Sequence, residues 1–267
     1  MSLSPSRRLR LGRKFMLSQF NGLFWFVLTL LPLALLQRLL HREIQAIFLI
    51  VSRSPEFTIA LFSIIFLPGV LLHEFSHYLM AVILGVQTAH FSLVPEMLPD
   101  GRLQLGYVET SKTDIVRDSF IGAAPLFIGG LFVAYLAVTR LHLLPMWDVL
   151  RNGQYNLFWL GITLLPQIKD FPLWFYLVFT ISSTMLPSQS DRHAWLPLGV
   201  TVIVLIAFAI LAGVGPWMLE NVAPLLNNIL SAAAVILGLS AAVHAVLILP
   251  FILLHRFFAS VTKTDIK

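Results

Sequence analysis

Cysteine is absent from this chain. That excludes disulfides and any thiolate metal site, and leaves His, Asp and Glu as the strong metal ligands. Charge is also scarce: 12% of the 267 residues are charged and 58% are hydrophobic. A soluble domain carries about a quarter charged residues, so half that figure leaves too little polar surface to cover a globule in water. No internal repeat or low-complexity tract divides the sequence, and residues 1–267 read as one polytopic membrane domain. A cleavable signal peptide is not expected either. The first apolar run, Phe20 to Leu36, is longer than a signal h-region and lacks a small-x-small site after it.

What the chain does have is apolar runs long enough to cross a bilayer, which takes about 20 helical residues. The pattern predicts an all-α membrane protein of about six transmembrane helices. The runs are Phe20 to Leu40, Phe57 to Val86 (interrupted at Pro68-Gly69), Ser119 to Leu141, Phe171 to Leu186, Leu196 to Val214 and Asn228 to Leu254. Arg38 to Pro55 mixes charged and apolar residues and is expected along the membrane interface. A polar insert, Gln87 to Thr113, follows the second span. Alternation around Leu103 to Glu109, a β-compatible His90 to Val94 and the Pro99-Asp100-Gly101 turn predict a small β-hairpin there.

The net charge of +5 does not point to nucleic acid, because the basic residues flank apolar spans. With six alternating spans and a cytoplasmic N-terminus, twelve Lys and Arg fall inside and six outside. This predicts an integral multi-pass protein of the cell membrane with both termini cytoplasmic, its partners being the lipid bilayer and a membrane-protein or peptide substrate.

The chemistry sits in His73-Glu74-Phe75-Ser76-His77. Helical residues four apart share a face, so both imidazoles can reach one ion, and Glu74 falls beside a water activated there. Random placement of eight His and six Glu gives roughly 0.005 such motifs in a chain this long. Three ionisable groups in an apolar span cost about 2.5 kcal/mol each or more unless paired or given a cavity, which favours a metal site over an incidental cluster. Zn²⁺ needs a third protein ligand. Asp191 is the best candidate, since the fourth span delivers it to the side that holds His73 and His77, and Pro187 ends that helix. The alternative is a solvated loop aspartate.

On these residues the chain resembles the site-2 protease family of intramembrane zinc metalloproteases. Leu72 to Tyr78, with Ala81 and Gly85, is similar to the family's His-Glu-x-x-His span. Gly122-Ala123-Ala124-Pro125 resembles its small-residue segment, and the segment ending at Asp191 stands where the family supplies its third ligand. Thr184 replaces the family's Asn there, and Arg192 its Gly. The resemblance covers Pro68 to Asp191, within a core of about residues 57–195. It implies zinc held by His73, His77 and Asp191, Glu74 as catalytic base, and hydrolysis of membrane-protein substrates near the cytoplasmic face. The rival classes are a membrane metal-binding or transport protein without hydrolase activity and a catalytically silent scaffold. Among the other polar residues, His244 is expected either at the site or bonded to a neighbouring helix. His193 and Arg192 are expected at the interface, with assistance to the substrate as the alternative, His90 in solvent or at the mouth of the site, and Asn227-Asn228 at the start of the last helix.

Overall fold

The computed structural model describes residues 21–92, 96–97, 103–104 and 106–263. The basic cluster from Arg7 to Lys14, the Pro99-Asp100-Gly101 turn and Lys267 lie outside them. Among the described residues, four helices are long and apolar enough to cross a membrane: α1 (Asn21–Ser52), α2 (Pro55–Ile83), α3 (Ile115–Thr139) and α8 (Gly215–Thr262). Between α3 and α8 lie α4 (Leu143–Arg151), α5 (Tyr155–Leu164), α6 (Phe171–Thr184) and α7 (Trp195–Leu211). At 14 and 17 residues, α6 and α7 fall short of the six full spans expected.

Local chemistry sets the element ends. Ser54 caps α2 by accepting from the Phe57 N–H at 3.2 Å, with Pro55 opening the helix. Asp114 caps α3, its Oδ1 accepting from Val116 and Arg117. Gly85, at φ +68°, turns the chain out of α2 while the Val86 N–H reaches back to the Ala81 carbonyl. The expected hairpin follows: β1 (Thr88–Ser92) pairs antiparallel with β4 (Tyr107–Thr110), with His90 opposite Glu109. Within it β2 (Glu96–Met97) pairs with β3 (Leu103–Gln104).

The contacts fix the helix directions. Ile65 meets Tyr176, Gly69 meets Thr180 and His73 meets Thr184, a constant offset that makes α2 and α6 parallel. Gly129 meets Met185 and Gly122 meets Asp191, so α3 and α6 are antiparallel. Helices in lipid gain little from apolar burial against one another and rely on close approach at small residues. Gly69 does this here: an added Cβ would stand 2.3 Å from the Thr180 carbonyl oxygen. A core of Leu40, Ile44, Phe62, Phe66, Val133, Val178 and Phe179 fills the centre.

Three expectations about helix extent need correction. Arg38 to Ser52 does not turn along the interface but continues α1, because Leu40, Ile44, Ile47 and Ile50 form a buried stripe. Pro68 does not interrupt α2. It removes the donor to the Ile64 carbonyl, and the Tyr176 hydroxyl donates at 2.7 Å to the adjacent Ile65 carbonyl. Asn227-Asn228 do not start the last helix, which begins at Gly215. Instead Asn227 lies within it and accepts from the Gly22 N–H at 2.7 Å.

Helix direction also bears on the termini. The helices α1 and α8 are parallel, since Gly22 meets Asn227, Thr29 meets Gly238 and Glu43 meets His255. If both cross one membrane, their C-terminal ends share a side. Arg256 and Lys263 then count on the side opposite Asn21.

Candidate metal centre

His73 and His77 lie one turn apart on α2, and Asp191 lies in the loop after α6. The fold brings their side chains together. Nε2 of His73 and Nε2 of His77 are 3.1 Å apart. Asp191 Oδ1 is 3.3 Å from the His77 nitrogen, and Oδ2 is 3.6 Å from the His73 nitrogen. Ligands about 2.0–2.1 Å from a tetrahedral zinc ion stand about 3.3 Å from one another. Measured to whichever carboxylate oxygen is nearer each imidazole, the separations lie near that value, and one donor atom from each of the three residues falls within 4.8 Å of the others, so the set can hold such an ion.

The far side of each imidazole carries the second half of the argument. His73 Nδ1 lies 2.6 Å from the Thr184 carbonyl oxygen, and His77 Nδ1 lies 2.8 Å from that of Ile121. A carbonyl only accepts, so each Nδ1 must carry the proton. In the neutral tautomer both Nε2 lone pairs then face each other and a carboxylate. Such a cluster is repulsive without a cation at its centre, and the carbonyl partners are the arrangement that orients histidine ligands. The Thr184 carbonyl is also a terminal group of α6, left without a helical donor. His73 therefore satisfies that backbone group while being aimed by it.

Asp191 is held from its own loop. The Ser188 N–H donates to Oδ2 at 2.6 Å, and the Asp191 N–H donates to Ser188 Oγ at 3.3 Å. The loop lies against α3, where Gly122 makes room for it. A Cβ at Gly122 would stand 1.9 Å from the Asp191 carbonyl oxygen. Gly122→Ala is therefore expected to displace Asp191 and to weaken zinc binding by about 10- to 100-fold, read by competition with a chromophoric chelator. Gly130→Ala is the control, since its Cβ would meet only an Ile236 methyl at 3.8 Å. Equal affinities in the two variants would count against Asp191 as a ligand.

Glu74 is buried and lines the same cavity of about 830 Å³. The start of β4 folds over it. An added Cβ at Gly106 would lie 3.0 Å from Glu74 Cγ and 3.3 Å from Oε1. The glycine thus lets the hairpin backbone close over the carboxylate. The cavity is also lined by Tyr107, Asp118 and His193.

No protein-family model, curated protein or solved structure matches the chain. The functional reading therefore rests on the residues themselves.

The remaining polar residues divide clearly. His244 is fully buried, donates from Nδ1 to the Ser240 carbonyl at 2.8 Å and accepts at Nε2 from Ser183 Oγ at 2.9 Å. It bonds to α6 and does not line the cavity. His193 pairs with Asp118 at 2.7 Å, tying the Asp191 loop to α3. Arg192 donates to the Ser188 carbonyl at 3.0 Å, and His90 is exposed. Sequence reasoning missed Gln37, whose side-chain amide donates to the Ser183 carbonyl beside Thr184. An amide inside an apolar helix was the available signal. The Ile121 carbonyl had one too, since Pro125 four residues on removes its helical donor, whereas the Thr184 carbonyl was marked only by lying at a helix end.

Proposed function

We propose that the chain is an intramembrane zinc metalloprotease of the site-2 type, cutting peptide bonds of membrane-protein substrates near the cytoplasmic face. The observation that carries the reading is the convergence of two tautomer-locked histidines and one carboxylate at tetrahedral ligand spacing, with a buried glutamate beside them in one cavity. His73 and His77 offer neutral Nε2 lone pairs, and Asp191 offers the negative charge. When bound, zinc would supply a Lewis acid that polarises a carbonyl and lowers the pKa of bound water to about 7. Glu74 accepts a proton from the attacking water as its oxygen bonds to the peptide carbon. The same carboxyl returns that proton to the amine nitrogen as the carbon–nitrogen bond breaks. Buried under the hairpin, Glu74 makes this transfer away from bulk solvent.

Five basic residues from Arg7 to Lys14 precede α1 and favour a cytoplasmic start for that helix. The helix directions then put the hairpin and the Asp191 loop toward that same face. In this reading α1, α2, α3 and α8 cross the membrane, α6 returns across it together with the irregular chain to Asp191, and α7, with no buried residue, accompanies them in lipid.

The test is purification followed by cleavage. The protein should carry about one zinc per chain, cleave a membrane-spanning peptide, stop when stripped with 1,10-phenanthroline, and recover on adding zinc. Full cleavage by the stripped protein would sink the proposal.

A further inference from the structure

The cavity does not stop at the three candidate ligands. Its α1 and α6 walls continue past Gln37 and Ser183 to His41. Gln37 and His41 are four residues apart on α1 and so share a face. The His41 ring packs edge-on against Phe62 and Phe66 of α2, with centroids 5.3 and 4.8 Å away. Its Nε2 is buried and has no hydrogen-bonding partner among the described residues. Phe66 precedes His73 by seven helical residues, so His41 lies about 10 Å deeper along the bundle than the candidate ligands.

A neutral imidazole presents one donor and one acceptor, and a buried polar group is ordinarily paired. Gln37 adds a side-chain oxygen and a second amide hydrogen to the one that Ser183 accepts. The lining residues at this end, Gln37, His41, Val70 and Ser183, carry no fixed charge. The lobe is polar, uncharged and continuous with the candidate metal site.

We propose that this inner lobe is a substrate subsite that takes one uncharged hydrogen-bonding side chain, an amide or a hydroxyl. The inference rests on the hydrolase reading above. An extended peptide advances about 3.3 Å per residue, so a lobe about 10 Å from the metal position reads a residue two or three places from the bond that breaks. An apolar side chain there leaves His41 unpaired. A charged side chain enters without a counter-charge. Sites built around a hydrogen bond discriminate strongly against analogues that lack it.

The experiment uses the full-length protein in liposomes and a membrane-spanning peptide with one guest residue moved along both sides of the cut. Gln, Ser, Leu and Lys guests are compared by kcat/KM, and their binding is measured on the Glu74→Gln protein. At one position, two or three residues from the cut, Gln or Ser should exceed Leu and Lys by about tenfold, with the same order in binding. His41→Phe keeps a ring against Phe62 and Phe66, and should remove the preference without changing zinc content. His41→Gln should restore it. Equal rates for all guests, or a preference that survives His41→Phe, would overturn the subsite. Discriminating binding of peptides that the parent never cleaves would support the subsite and overturn the hydrolase reading instead. Failure of the Glu74→Gln protein to bind any of the peptides would overturn both.

Discussion

Replacing Glu74 with Gln is expected to slow peptide hydrolysis by about 10² to 10⁴ while leaving zinc near one per chain. Gln keeps the size and one hydrogen-bonding oxygen of Glu, so the close fit beneath Gly106 is undisturbed. What it loses is the ability to accept a proton from water at neutral pH. The Nε2 atoms of His73 and His77 and the Asp191 carboxylate are untouched by the change, so the metal should remain. The paired measurement, zinc content beside cleavage rate, separates an enzyme from a metal carrier. A Glu74→Gln protein that cleaves at the parent rate would remove Glu74 from the mechanism and leave a metal-binding or transport role as the better account.

Replacing His77 with Ala is expected to strip zinc to background. Two protein ligands remain, where a zinc site ordinarily has at least three. The variant also leaves the Ile121 carbonyl without its 2.8 Å partner, a buried loss of about 1–3 kcal/mol. A lower melting temperature should therefore accompany the loss of metal. His73→Ala should behave alike, because its Nδ1 satisfies Thr184 in the same way. Asp191→Asn should be milder. The amide oxygen can still accept from the Ser188 N–H, but a neutral ligand replaces an anionic one, so affinity should fall by about 10- to 100-fold without complete loss. Stoichiometric zinc in both histidine variants, measured by inductively coupled plasma mass spectrometry, would refute the site as assigned.

Much of the architecture and part of the site could be read from the residues. The hairpin after α2 followed from alternation and a turn signal, both local features. The extent of α1 did not, because Arg38, His41 and Arg42 look interfacial until the buried stripe of Leu40, Ile44 and Ile47 is seen packed. The same misreading hid His41, while Gln37 stood inside the first expected span and was passed over; the importance of both depends on which face of α1 meets α2 and α6.

Two features needed nothing beyond the residues. A chain with so little charge cannot cover itself in water, and His73 and His77 must share a helical face because 3.6 residues make a turn. The rest depended on packing. Span alternation already sent the second and fourth spans the same way and made Asp191 a candidate, but its contact with the histidines depended on α2 and α6 packing side by side while Gly122 admits its loop. The parallel course of α1 and α8 was invisible, since hydropathy marks which segments are apolar and does not say which of them cross. Helix direction and loop placement are set by contacts between distant segments, which no local pattern encodes.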